Sequence, residues 1–334
     1  MKKEEILKKL RETEDYISGQ ELCEYYGVSR TAVWKAIKQL EKDGYCIEAL
    51  TNRGYKLIDK NVTENDVMSQ VSIESYIDTK WAGKNFVFNK ETGSTNQDVK
   101  ALAEKGAPSG TLVVADSQLA GRGRRGRDWI SPPGKDIYMS LLLRPSCMPD
   151  RASALTLVMA LSVIEAIDEL EDFKDKCGIK WPNDIVINGR KICGILTEMS
   201  AEIDAIHYVV TGVGINVNQT QFDQDIKGTA TSLFLEGGNS VNRSKLIARI
   251  MHYFEINYAV FEQSFDMSGL IDKYNHFLVN RDKQVRVLDP KGEYDGVAKG
   301  INEDGELIVI RSEDEKQILV YAGEVSVRGI YGYV

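Results

Sequence analysis

Gly121-Arg122-Gly123-Arg124-Arg125-Gly126-Arg127-Asp128-Trp129-Ile130-Ser131-Pro132-Pro133-Gly134 is the stretch on which the fold of this 334-residue chain turns. Gly121, Gly123 and Gly126 fit the G-x-G-x-x-G pattern, and Thr111–Ala115 upstream reads as a strand. A dinucleotide turn of that type works only if a helix starts there. Instead Trp129, Pro132, Pro133 and Gly134 follow, and no helix runs through two prolines. The dinucleotide fold is therefore excluded, and the arginines need another purpose. Arginine keeps its charge, and its planar fork suits phosphate and carboxylate. Interleaved glycines let such a loop come close to a bound anion. The loop holds either a nucleotide or nucleic acid, and a segment that orders when its anion arrives fits this composition.

Charge narrows the choice. The chain carries a formal net charge of −8. Residues 1–60 have 12 Lys/Arg against 11 Asp/Glu, which leaves −9 on residues 61–334. The bulk of the protein repels nucleic acid, so any DNA contact is local. A length of 334 residues predicts two or three domains, and a hydrophobic content of 43% is that of a globular protein. The N-terminus lacks the apolar stretch of a signal peptide, and no apolar run spans a bilayer. Cysteines 23, 46, 147, 177 and 193 have neither metal-binding nor disulfide spacing and read as reduced thiols of a cytoplasmic protein.

Three segments emerge outward from the loop. Residues 1–62 are mostly helical in pattern. Lys3–Glu12 puts Ile6, Leu7 and Leu10 on one face, and a second helix opens at Ser18-Gly19-Gln20, with Leu22 and Tyr25 or Tyr26 inward, and stops at Gly27. Ser29 caps a third over Arg30–Asp43, with Val33, Ile37 and Leu40 at core spacing. Strands Cys46–Leu50 and Tyr55–Ile58 around Asn52-Arg53-Gly54 read as a wing. The pattern is a winged helix-turn-helix. Ser29, Arg30, Thr31, Lys35, Lys38 and Arg53 are its candidate DNA-binding residues. A merely solvated helix face is the plain alternative.

Residues 63–280 mix short β-rich runs (Phe86–Phe88, Thr111–Ala115, Ile137–Leu143, Ile185–Ile187, Ile192–Met199, Ile206–Val217) with helical ones, notably Arg151–Leu170 and Arg243–Phe261 capped by Asn242. Without a regular βαβ repeat, the class is α+β with a mixed sheet. Residues 281–334 are all strand pattern and predict a small barrel of about five strands, SH3-like.

Three further motifs carry chemistry. Lys180-Trp181-Pro182-Asn183-Asp184 groups a cation, an amide and an acid, with Lys191 one hairpin later. Lys191 suits a carboxylate or phosphoryl oxygen, and Asp184 suits an amine or a proton. A rigid core turn explains Trp181 and Pro182 equally well. Thr211–Asn218 has glycines within a strand and Asn216 to face a heterocycle, although a β-bulge accounts for the glycines too. Glu91–Asn96 offers small hydroxyl and amide groups, and in isolation is only a helix-cap signal.

In this order, these segments resemble the bifunctional biotin protein ligase and biotin operon repressor family over essentially the whole chain. The arginine-glycine loop with its Trp and the Lys-Trp-Pro-Asn-Asp motif are the specific parts. The resemblance implies a class II synthetase-like ligase domain that joins biotin to ATP with Mg²⁺. Biotinyl-5′-adenylate and pyrophosphate form, and biotin then passes to a lysine of the biotin carboxyl carrier protein of a carboxylase. It further implies that Ser94, Thr95, Asn96 and Gln118 hold biotin, with Arg122, Gly123, Arg124 and Lys191. Arg122, Arg124, Arg127, Trp129 and Asn216 would hold the nucleotide, with Ala230–Leu233 as a second nearby loop. Arg124, Lys191 and Asp184 are the implied catalytic residues, and no metal ligands are assigned. The adenylate would promote a homodimer that binds operator DNA. A ligand-sensing repressor with a weak or inactive ligase domain, a lipoate ligase and a nucleic-acid enzyme are the rivals.

Overall fold

A computed structural model describes residues 2–58, 68–289, 292–322, 326–329 and 333. The expected division at 62/63 lies outside them. The N-terminal unit consists of α1 (Lys3–Glu12), α2 (Gly19–Tyr26), α3 (Arg30–Lys42) and the antiparallel pair β1 (Ile47–Leu50) and β2 (Gly54–Leu57). Ser18 and Ser29 cap α2 and α3 by accepting from Glu21 N and Ala32 N. The core stripe is the expected one, with Ile6, Leu7, Leu10, Leu22, Val33, Ile37 and Leu40 buried. Of the two tyrosines, Tyr26 packs on this core while Tyr25 is exposed. The unit rests on α4 (Gln70–Tyr76) through α1, where Arg11 donates to Ser72 O at 3.3 Å and lies 3.6 Å from the Tyr76 ring centroid.

A seven-stranded sheet forms the middle of the molecule. Its strands are β3 (Phe86–Asn89), β4 (Leu112–Ala115), β5 (Ile137–Leu143), β6 (Cys177–Lys180), β7 (Asp184–Ile187), β8 (Arg190–Ala201) and β9 (Ile206–Ile215), in the order β3-β4-β5-β9-β8-β7-β6. Only β3 and β4 run parallel. This is a mixed sheet in an α+β unit. Helices α6 (Ala154–Asp168) and α8 (Arg243–Ser264) cover one face, and α5 (Thr95–Glu104) lies against the other. Burial on both faces explains why β4 reads as an unbroken apolar run and β5 as one broken only at Ser140. Asn242 caps α8, as expected. Short helices α7 (Leu233–Gly237) and α9 (Ile271–Phe277) complete the unit.

The pleat sorts side chains by parity. Met139, Leu141, Ile195 and Val213 join the core beneath α6 and α8. Ser140, Gly194, Leu196, Gly212 and Gly214 therefore face the α5 side. That parity decides where the site lies.

The C-terminal unit is an antiparallel sheet of β10 (Gln284–Leu288), β11 (Tyr294–Ile301), β12 (Leu307–Arg311), β13 (Gln317–Val320) and β14 (Ser326–Gly329), in the order β13-β12-β11-β10-β14. Five is the number of strands expected. β13 and β14 stand at opposite ends of the sheet, and no pairing among the described residues closes it into a barrel. No helix among the described residues is long and apolar enough to cross a membrane.

Candidate active site

Two adjoining cavities open on the α5 side of the sheet. The larger, about 610 Å³, is lined by Ser94, Thr95, Asn96, Gln118, Arg122, Glu198, Gly212 and others. The smaller, about 320 Å³, is lined by Arg127, Lys180, Asp184, Asn216, Ala230, Arg328 and Tyr333 among others. Gly123, Arg124, Arg125, Trp129, Asn183 and Lys191 belong to both walls. The arginine-glycine loop is thus the partition between two chambers.

In the larger cavity the polar groups are tied into a network at the start of α5. Thr95 N donates to Gln118 Oε1 at 2.9 Å, and Gln118 Nε2 donates to Ser131 Oγ at 3.0 Å. Ser140 Oγ lies 2.7 Å from Thr95 Oγ1 and 2.5 Å from Asn96 Oδ1. Asn96 Nδ2 donates to Glu198 Oε2 at 2.7 Å, and Lys100 Nζ sits 2.6 Å from Glu198 Oε1. Ser94 precedes the helix with no side-chain cap bond. A β-carbon on Gly212 would lie 2.1 Å from Asn96 Oδ1, so only glycine admits Asn96 over that strand. Thr95 and Asn96 are both buried yet line the cavity wall, flanked by the more exposed Ser94 and Gln97.

The partition has its own geometry. A single 3₁₀ turn spans Arg124–Gly126, with Arg125 at φ 60°. Gly123 N donates to Arg127 O at 2.7 Å and Trp129 N to Gly121 O at 2.9 Å. The Trp129 ring lies on Gly194 and Gly214, which are register partners in β8 and β9. Trp129 Nε1 is buried and has no hydrogen-bond partner among the described residues. Arg124 donates to Asn183 Oδ1 at 2.8 Å and to Ala322 O at 2.6 Å, joining the loop to the C-terminal unit. Burial draws the Arg124 pKa down, Asp184 opposes that, and Arg125 and Arg127 add to it. Arg122 and Arg127 are exposed on the cavity rims.

Beyond the partition, the Lys-Trp-Pro-Asn-Asp motif joins β6 to β7. Trp181 is the rigid core element the sequence allowed. It is buried, Trp181 N donates to Asn280 Oδ1 at 3.0 Å, and Trp181 Nε1 to Gly305 O at 3.0 Å. The polar members turn the other way, into the cavities. Lys191 Nζ is 2.6 Å from Asp184 Oδ1 and 5.3 Å from the Trp129 ring centroid. The Lys191 backbone is fixed by Thr229 O at 2.7 Å and Thr231 N at 2.9 Å. Asn216 Nδ2 donates to Thr231 O at 3.0 Å, which places the Ala230–Leu233 loop beside it. Lys180 is buried, which pushes its pKa down to about 8 against the pull of Asp184.

The sequence did not single out Ser140, Glu198 or Tyr333, all of which reach these groups. Ser140 interrupts the apolar run of β5 and Glu198 falls on the even-numbered face of β8, signals that become readable once the register is known. Asn183 and Lys180 were visible in their motif but had no assigned part.

The winged unit carries a separate surface. Arg30, Thr31, Lys35 and Lys38 are exposed on α3 together with Trp34, which is 51% exposed. Trp34 lies off the Val33–Ile37–Leu40 stripe, and that phase was its signal. Arg30 donates to Gln20 Oε1 at 2.9 Å, Lys38 pairs with Glu41 at 2.6 Å, and Arg53 pairs with Asp15 at 2.9 Å. Ser29 Oγ accepts from Ala32 N as the cap.

Residues 89–216 match the biotin/lipoate A/B protein ligase family, residues 2–56 an HTH domain, and residues 282–328 the biotin protein ligase C terminal domain. The bifunctional ligase/repressor BirA of Bacillus subtilis is 39% identical over 307 residues, covering 91% of this chain and 92% of that protein. The chain belongs to the biotin protein ligase family, in its bifunctional ligase/repressor branch. The Escherichia coli bifunctional ligase/repressor BirA is 29% identical, over 94% of each chain. Among solved structures, the biotin protein ligase from Aquifex aeolicus in complex with biotin and ATP is 32% identical. Its TM-score is 0.63, and the match covers 74% of this chain and 99% of that one.

Proposed function

We propose that this chain activates biotin with ATP as biotinyl-5′-adenylate, transfers it to a carrier-protein lysine, and represses transcription when the adenylate is not consumed. The observation that carries the reading is the pair of cavities sharing Arg124, Trp129 and Lys191 as a common wall. Two substrates of unlike chemistry meet across such a wall, and the cations stand where they join. The larger chamber offers hydroxyl and amide groups from Ser94, Thr95, Asn96 and Gln118 to a ureido ring. The smaller offers Arg127, Asn216 and the Ala230–Leu233 loop to a nucleotide. Trp129 Nε1, buried without a partner among the described residues, is a donor for whatever fills the space.

The chemistry asks little proton transfer of the protein in the first step. A biotin carboxylate oxygen attacks the α-phosphorus of ATP, the bond to the bridging oxygen breaks, and pyrophosphate leaves. Both reactants are anionic, so Arg122, Arg124 and Lys191 act by holding them together and offsetting repulsion. In the second step a lysine amine attacks the acyl carbon and AMP departs. Asp184, beside Lys191, is placed to receive the amine or its proton. Mg²⁺ is expected with ATP, where it would screen phosphate charge. No group of three potential His, Cys, Asp or Glu ligands occurs among the described residues, so we assign the ion to the phosphates and route no step through it.

The proposed domains are 1–62 for DNA, 63–280 for the ligase and 281–334 for an SH3-like C-terminal unit. Adenylate-promoted homodimerisation would present two winged units to a palindromic operator, a linkage in which ligand and DNA both favour the dimer. The protein is expected to be cytoplasmic. Biotin-dependent ATP–pyrophosphate exchange is the deciding experiment, run in parallel with lipoate. Exchange with biotin supports a ligase. Its absence, with ligand still binding, would leave a ligand-sensing repressor. Sedimentation with and without adenylate tests the switch.

A further inference from the structure

Tyr333 stands against the acid that the transfer step needs. Its hydroxyl donates to Asp184 Oδ2. The other carboxylate oxygen, Oδ1, lies 2.6 Å from Lys191 Nζ and accepts from Asn183 Nδ2 at 3.1 Å. Both oxygens of Asp184 are therefore engaged. The Tyr333 ring is held as well, with Lys180 Nζ 3.2 Å from its centroid. Burial, reinforced by the charge of Asp184, raises the phenol pKa, so the group stays a donor across the working pH range. Tyr333 also forms part of the wall of the 320 Å³ cavity.

An amine that approaches an acyl-adenylate from this side needs what Tyr333 already holds, an acceptor oxygen of Asp184. We propose that Tyr333 is a positioning residue that keeps Asp184 closed to adventitious amines, so that the activated acyl group is surrendered to a docked carrier lysine. The proposal rests on the adenylation reading above. In the transfer step the amine nitrogen bonds to the acyl carbon and the acyl carbon–oxygen bond to phosphate breaks. AMP leaves with that electron pair, and the surplus proton of the attacking nitrogen passes to Asp184. Asp184 must first exchange the Tyr333 O–H for an N–H of the nucleophile. A docked protein has binding energy to drive that exchange, whereas a small nucleophile has almost none.

The test compares two readouts on the full chain: biotin-dependent pyrophosphate exchange, and capture of the adenylate by hydroxylamine. Tyr333→Phe keeps a ring under Lys180 and deletes only the hydroxyl. The ratio of hydroxylamine capture to exchange is expected to rise about tenfold, the worth of one hydrogen bond to a charged group. Transfer to a carrier protein should rise less. Tyr333→Gln restores a donor without the ring and should bring the ratio back toward wild type. A ratio that stays level or falls in Tyr333→Phe overturns the proposal, as does an equal rise in Tyr333→Gln. Failure of exchange in the wild-type protein would instead remove the adenylation reading.

Discussion

Trp129 lies so close over Gly214 that a β-carbon at position 214 would come within 2.5 Å of the indole. Gly194, the register partner of Gly214, meets the same ring at 2.9 Å. Two strands thus give up their side chains to seat one tryptophan between two cavities. The partition depends on that seat.

Gly214→Ala should unseat Trp129 and slow pyrophosphate exchange by about tenfold or more, since small displacements of a positioning group are costly. The backbone at 214 is extended, so thermal stability should fall by only a few degrees. A variant with normal exchange would show that Trp129 has no part in joining the substrates. Gly212→Ala, which collides with Asn96, should act mainly on the KM for biotin.

Lys191→Ala removes the cation at the junction and leaves Asp184 with Asn183 and Tyr333. Adenylation is expected to slow by about 100-fold, in the range seen when one transition-state donor is removed. A normal rate of biotin-dependent exchange would take Lys191 out of the mechanism.

Arg124→Ala breaks two bonds at once, to Asn183 and to Ala322. The loop then loses its tie to the C-terminal unit, and adenylate should leak from the enzyme or fail to accumulate. Rapid-quench measurement decides this. Retention of the intermediate as in wild type would end the clamp interpretation.

Asp136 is buried, and desolvation raises its pKa to about 6 despite the hydrogen bonds it accepts from Val217 N–H and the Tyr138 hydroxyl. The folded state therefore holds this proton more tightly than the unfolded chain, whose Asp titrates near ~4. The contribution of this group to stability is full below ~4 and declines as pH rises through about 6. Asp136→Asn abolishes that decline. Urea unfolding at several pH values should show the difference between wild type and variant moving in favour of Asn by on the order of 3 kcal/mol. A difference that does not vary with pH would refute it.

On α3, Lys35→Ala should weaken operator binding about equally for all sequences and reduce the salt slope by about one. Arg30 is braced by Gln20, so Gln20→Ala should weaken binding indirectly. An unchanged salt slope would place Lys35 off the DNA.

Local signals made much of this legible. The N-terminal helices, their serine caps and the C-terminal strands follow from periodicity and turn chemistry, which act over a few residues. The short strand β6 and the helices α4 and α9 escaped because each is under two turns or a few residues long and is held by tertiary packing. At the site, Asn96, Lys191 and Asn216 were readable from their motifs. Ser140 and Glu198 were not, since what marks them is the sheet register that turns them toward Asn96.

By itself, the sequence determined that Gly121–Arg127 could not start a nucleotide-binding helix, because Pro132 and Pro133 follow. It also set a net charge of −9 on residues 61–334 against a near-neutral first 60, so any DNA contact is expected in the N-terminal segment, because charge is a property of composition. Only the tertiary structure decided that the arginine loop divides two cavities. It also decided that Trp129 rests on Gly194 and Gly214, and that Arg124 reaches Ala322 while Tyr333 reaches Asp184. Those contacts join residues between about 60 and 200 positions apart, and no local rule of spacing fixes which distant partners a fold brings within hydrogen-bonding range.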